Sequence, residues 1–116
     1  MNTITTDQLT QWLEAGEDVL LIDVLPPEDF EKKHIPGAEN IPVQADDFVE
    51  RVDRRASGDR KRRVVVYCSN EQCDASPRAV QRLEKARFEN VFAYESGIAG
   101  YRKSGRPLAG TDATSS

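Results

Sequence analysis

The chain has no long apolar run. No stretch of its 116 residues approaches the ~18–20 apolar residues that a membrane-spanning helix needs. It has no basic excess either: 16 Lys and Arg stand against 20 Asp and Glu, for a net charge of −4. Phosphate contacts need a basic face, so general nucleic-acid binding is excluded. Two cysteines, Cys68 and Cys73, are too few for a disulfide scaffold in a chain of this size. With His34 the single histidine, the C-x4-C pair falls short of the four ligands a structural zinc site usually has. No metal and no cofactor are expected. The N-terminus, MNTITTDQLTQWLEAG, lacks both a basic n-region and an apolar h-region. No secretory signal is expected, and a reducing cytoplasm is the expected compartment.

What is present is one domain's worth of sequence, with Val, Ile and Leu segments recurring at regular spacing. Thr5, Thr6 and Asp7 are good N-cap residues; Leu9, Trp12 and Leu13 follow at helical spacing, and Gly16 sits at a C-cap position. This predicts a helix over about 7–15, with Trp12 packing it against the sheet. Val19-Leu20-Leu21-Ile22 is apolar on both faces, the pattern of a buried parallel strand. Pro27 or Glu28 can open another turn of helix. Asn40-Ile41-Pro42-Val43 reads as a very short strand limited by Pro42. Phe48, Val49 and Val52 predict a helix over about 45–55, and Val64-Val65-Val66-Tyr67 is the strongest strand signal. Ser76 is a candidate N-cap with Pro77 at the first helical position. Ala79, Val80, Leu83 and Ala86 continue that helix, Val91-Phe92-Ala93 forms a last strand, and Ile98 and Tyr101 anchor a final helical turn or two. Strands alternating with helices predict an α/β domain with a parallel sheet over residues 1–108 and a fraying polar tail over 109–116.

Open α/β sheets place ligands beyond the C-terminal ends of their strands. Cys68 is the first residue after the strongest strand, and seven residues separate it from Ser76. Loop N–H groups and a helix N-terminus there favour negative charge and would lower the thiol pKa toward the reactive thiolate. The competing reading is a buried, inert cysteine closing a hydrophobic strand.

The chain resembles a known family. Leu21-Ile22-Asp23-Val24, Pro27-Glu28-Asp29-Phe30, then His34-Ile35-Pro36-Gly37-Ala38 with Asn40-Ile41-Pro42, are similar to the first half of a rhodanese-like (sulfurtransferase) domain. Val64-Val65-Val66-Tyr67-Cys68 resembles the strand leading into its active-site loop. Phe88-Glu89-Asn90-Val91, Ser96-Gly97-Ile98, Tyr101 and Gly105-Arg106-Pro107 resemble its closing segment. The resemblance implies a single α/β/α domain: a mostly parallel sheet of about five strands with helices on both faces. It implies a sulfurtransferase or sulfur carrier with Cys68 as nucleophile. A donor such as thiosulfate would leave a persulfide there, and cyanide, a thiol or a protein sulfur acceptor would remove the sulfur. The loop residues Ser69, Asn70, Glu71, Gln72, Asp74, Ala75 and Ser76 would wrap the sulfur with backbone N–H groups, with Asp23 and Arg78 behind them.

The chain departs from the family pattern in three places. Cys68 to Ser76 is two residues longer than usual, and the C-x4-C form resembles a variant branch. The loop carries Glu71 and Asp74 and no Arg, which raises a thiol pKa and repels a dianionic donor. Leu25 stands where many members have an Arg. Cys73 has three readings: a resolving thiol that releases sulfide and leaves a Cys68–Cys73 disulfide, a nucleophile with C-x4-R spacing to Arg78, or a plain loop residue. The phase of Ser76-x-x-Ala79-Val80 disfavours the second. A phosphatase of related fold is excluded, because no Arg is placed to clamp a phosphate: the position six after Cys68 is Asp74. The alternative to an enzyme is a non-catalytic binding or redox-sensing module using the Cys68/Cys73 pair. A sulfurtransferase should show a depressed Cys68 pKa, a sensor two sulfurs within disulfide reach, and a passive module a Cys68 packed in apolar side chains.

Overall fold

The two longest strands carry Val, Leu and Ile at successive positions, so both of their faces must be covered. A computed structural model describes residues 2–111, and in it helices cover both faces. The order of elements is β1 (Asn2–Thr3), α1 (Thr6–Glu14), β2 (Val19–Asp23), α2 (Pro27–Lys32), β3 (Glu39–Asn40), α3 (Phe48–Arg55), β4 (Arg63–Tyr67), α4 (Ala75–Lys85), β5 (Val91–Tyr94) and α5 (Gly97–Lys103). The strands form one five-stranded sheet in the order β1-β5-β4-β2-β3, and every pair is parallel. This is the expected three-layer α/β domain. The strand order turns back between β2 and β4, since β3 lies outside β2 while β4 lies on its other side. The C-terminal ends of β2 and β4 therefore border the crevice where such sheets bind ligands.

Period-2 alternation divides the core. Leu20, Ile22 and Val24 of the β2 segment, with Val64, Val66 and Cys68 of the β4 segment, face Phe48 and Val52 of α3 and Ala79, Val80 and Leu83 of α4. Leu21, Val65, Tyr67 and Tyr94 face Leu9 of α1 and Tyr101 of α5. Trp12 meets Phe92 edge-on at 5.3 Å, as a packing residue of α1 should.

Several local details differ from expectation. Asp74, not Ser76, occupies the N-cap position of α4, so Ser76 and Pro77 lie inside its first turn. Pro77 fits there because the first-turn N–H groups have no intrahelical acceptor. β1 was not foreseen; two exposed residues carry no periodic signal. β3 ends at Asn40, although Ile41 and Val43 still donate to the carbonyls of Asp23 and Val24 at 3.0 and 3.1 Å. The chain beyond Leu108 does not fray at once: Ala109 exchanges two backbone hydrogen bonds with His34, and the Thr111 N–H donates to the Glu31 carbonyl at 2.8 Å. Residues 112–116 of the expected tail lie outside the described residues.

Candidate active site

Cys68 continues the alternation of β4, so its side chain enters the α3/α4 face beneath the first turn of α4. The residue is 1% exposed. Its Sγ donates at 3.6 Å to the Cys73 carbonyl and at 3.7 Å to the Ser76 hydroxyl. Burial pushes the thiol up to about 11, and hydrogen bonding to the Cys73 thiol adds to the rise; the Ser76 amide and hydroxyl pull the other way. The expected depression of the Cys68 pKa is therefore overturned: taking the sulfur out of water outweighs the dipoles aimed at it, and the resting sulfur has the apolar packing expected of a passive module. Those dipoles are also fewer than expected. The Gln72 amide donates to Asn70 Oδ1 at 3.0 Å and the Cys73 amide to the Asn70 carbonyl at 3.2 Å. Asn70 thus folds the loop on itself and spends two of the N–H groups that a wrapped sulfur would use.

The structure brings Cys68, Cys73 and Ser76 together. Cys73 is half-buried against the same cluster that holds Cys68, and its backbone carbonyl accepts from the Cys68 thiol. Asn70, Glu71, Gln72 and Asp74 are exposed, while Ser69 and Ala75 are half-buried. Arg78 lies on the exposed side of α4 and makes no hydrogen bond or ion pair to either cysteine among the described residues.

Asp23 is not a neighbour of the sulfur. It pairs in register with Tyr67, and its carboxyl lies beside Tyr67 and His34, away from the α3/α4 face. Oδ1 accepts the Leu25 N–H at 2.9 Å, which turns the chain out of β2. Oδ2 is buried without a hydrogen-bond partner. The nearby Tyr67 hydroxyl favours the anion, yet burial dominates and holds the carboxyl up at about 6. Tyr67 itself accepts the Ile35 N–H at 2.9 Å, anchoring the His34-Ile35-Pro36 turn. His34 is a packing residue, stacked on Phe30 at 3.8 Å with Nδ1 2.7 Å from the Phe30 carbonyl oxygen.

Gly97 was overlooked as a site residue. The Ile98 N–H donates to the Cys68 carbonyl at 3.1 Å, and the Ala99 N–H to the Ser69 carbonyl at 2.9 Å. The first turn of α5 thus grips the start of the loop. Gly97 has φ +60, and a Cβ there would overlap the Cys68 carbonyl oxygen. Only glycine allows that approach. A glycine opening a helix directly after a buried strand was the available signal. Among the described residues, no group of three or more His, Cys, Asp and Glu converges as a metal set would.

The span from α1 to the end of α5, which holds this cysteine and the helix that grips it, matches a family model: the rhodanese-like domain model covers residues 5–104. The chain belongs to the rhodanese-like domain family. Relatives agree with this. A sulfurtransferase of Allochromatium vinosum is 28% identical over 93% of this chain and 94% of its own length. The HTH-type transcriptional regulator Rv0324 of Mycobacterium tuberculosis is 36% identical, covering 92% of this chain but 44% of the regulator. The probable adenylyltransferase/sulfurtransferase MoeZ of the same organism is 30% identical over 91% of this chain and 26% of its own length. The chain thus spans less than half of those two relatives. The solution structure of a rhodanese-like domain from Anabaena superposes with a TM-score of 0.83 at 26% identity, covering 100% of this chain and 84% of that one. Two of these relatives of the rhodanese-like domain, from Allochromatium vinosum and Mycobacterium tuberculosis, carry sulfurtransferase in their names. No helix of the described residues is long and apolar enough to cross a membrane.

Proposed function

We propose that the domain moves sulfane sulfur through a persulfide on Cys68, with Cys73 as its working partner. The observation that carries this is the placement of Cys68: at the C-terminal end of β4, with its Sγ against the Ser76 hydroxyl and the Cys73 carbonyl. The Cys68 thiolate would attack the outer sulfur of a donor such as thiosulfate, forming Cys68–S–S⁻ and releasing sulfite. Cyanide or a thiol would then take the terminal sulfur and return the thiolate. The Ser76 amide and hydroxyl are the groups that favour a sulfur anion there. At rest the thiol is protonated and covered, so the exposed loop over residues 69–74 must shift to admit a donor. The physiological compartment in this reading is the cytoplasm, where both thiols stay reduced.

Intact-mass analysis after thiosulfate treatment tests the proposal. Wild type should gain one sulfur atom and Cys68→Ser should not. A full adduct on Cys68→Ser would move the assignment to Cys73. A second reading has its own observation. The Cys68 thiol donates to the Cys73 backbone carbonyl at 3.6 Å, which sets the two cysteines side by side; a two-electron oxidant such as a peroxide would then close a Cys68–Cys73 disulfide with loss of two protons. No adduct on any variant, with ready disulfide formation, would make the domain a redox-sensing module.

A further inference from the structure

The sulfurs do not line the large cavity at the strand ends; positive charge does. A cavity of about 780 Å³ opens between α2 and α5, at the point where the strand order reverses. Lys32 and Lys33, at the end of α2, form one wall, and Arg102 and Lys103, in the last turn of α5, form the other. Asp29 is the one carboxylate among the lining residues. None of the four cations has an ion-pair partner within 4 Å among the described residues. Concentrated cations of this kind run against the net charge of −4 of the whole chain. The floor is apolar, from Leu25, Ile98 and Ala99, and it ends at Ser69, the residue after Cys68. A second cavity, lined by Asn70, Glu71 and Gln72 of the loop, adjoins the first and shares Ala99 and Lys103 with it. With four cations to one carboxylate in its lining, the first cavity draws an anion that approaches the strand ends.

We infer that the cleft between α2 and α5 binds a drug-sized organic anion, one with an apolar body and at least two negative charges carried by carboxylate or phosphate groups. The volume falls in the range that encloses an organic ligand rather than a bare oxyanion. Two facing pairs of cations match charges set apart on one molecule, and the floor between them matches hydrocarbon. Lys32, Lys33, Arg102 and Lys103 supply from the scaffold the positive charge that the loop lacks. The inference deepens the sulfur-transfer reading: the ligand's role, as an organic sulfur donor or acceptor seated beside Cys68, rests on it. Its binding does not.

Sulfur-free probes separate the two. The full chain, with both thiols reduced, is titrated with naphthalene-2,6-dicarboxylate, 2-naphthyl phosphate, dimethyl naphthalene-2,6-dicarboxylate and sulfate, following backbone amide shifts by NMR. The expected result is saturable shifts at Ser69, Ala99 and Arg102 with the dicarboxylate or the phosphate. Binding weakens as salt rises, and weakens at least about tenfold in Lys33→Glu/Arg102→Glu. Lys61→Glu/Lys85→Glu makes the same charge change at the opposite end of the sheet and leaves binding unchanged. Saturation by the dicarboxylate alone assigns a carboxylate ligand, and by the phosphate alone a phosphate ester. The inference is overturned by any of three results: no saturable shift at those amides, equal binding of the neutral ester or of sulfate, or binding indifferent to the reversal. Failure here leaves the persulfide test standing, and failure of that test leaves this one.

Discussion

The two faces of the sheet are built on opposite principles. The α3/α4 face is almost pure hydrocarbon: Ile22, Val24, Val64, Val66, Phe48, Val52, Val80 and Leu83, with Cys68 as its last member toward the strand ends. The α1/α5 face carries Tyr67, Tyr94, Tyr101 and the buried carboxyl of Asp23. There the hydroxyls find partners: Tyr67 takes the Ile35 N–H, and Tyr94 hydrogen-bonds Thr6 Oγ1 at 2.6 Å. The reactive group thus sits on the dry side and the polar scaffolding on the other. Desolvation favours the protonated form of the Cys68 thiol. The polar face, meanwhile, fixes the turns after β2 and around Ile35 through specific hydrogen bonds.

The largest effect separating the faces should be chemical. With the Cys68 thiol near 11, about one molecule in a thousand carries its thiolate at pH 8. Iodoacetamide should therefore label half-buried Cys73 well before Cys68, with Cys68 labelling rising through pH 10–11; mass mapping of timed samples reads this. Equal rates at pH 8 would mean that the dry side is not dry at the sulfur. Next, Phe48→Ala empties part of the hydrocarbon face and should cost about 3–5 kcal/mol in urea unfolding, with Cys68 labelling accelerated.

A smaller effect belongs to Asp23. Burial holds its native carboxyl up at about 6, above the ordinary aspartate value of about 3.9, so protonation favours the fold. Its contribution is fully present below pH ~4 and is lost as pH rises through 6, by up to about 3 kcal/mol at pH 7. Asp23→Asn keeps an acceptor for the Leu25 N–H and removes that loss. Wild type should gain on the variant as pH falls from 7 to 4; parallel stability curves would refute the assignment. Smallest is Tyr67→Phe, which leaves the buried Ile35 N–H unpaired and should cost about 1–3 kcal/mol without changing Cys73 labelling.

Much of this was legible beforehand. The uninterrupted apolar run at Val19–Ile22 suits a buried parallel strand, Val64–Tyr67 is the strongest strand signal, and the spacing of Ala79, Val80 and Leu83 is helical; the structure pairs the two strands in parallel. The motif series from Leu21 to Pro107 pointed to the family across nearly the whole chain. Even the burial of Cys68 was within reach, since two steps along a strand from Val66 must point the same way as Val66. What alternation does not reveal is how deeply the loop covers that end of the strand. Asn70 decides this by folding the loop over its own amides.

The order of residues along the chain thus determined which segments are strands, that they lie parallel, and that a cysteine closes the central one. The strands follow from periodicity that each stretch carries by itself, and their parallel direction from the alternation of strands with helices along the chain. The ionisation of that cysteine, the orphaned oxygen of Asp23, the grip of Gly97 on the Cys68 carbonyl, and the meeting of Lys33 with Arg102 across one cleft were decided only on folding. Each depends on groups remote in sequence sharing a few ångströms of space. Burial and electrostatic field are properties of that shared space, not of any segment alone.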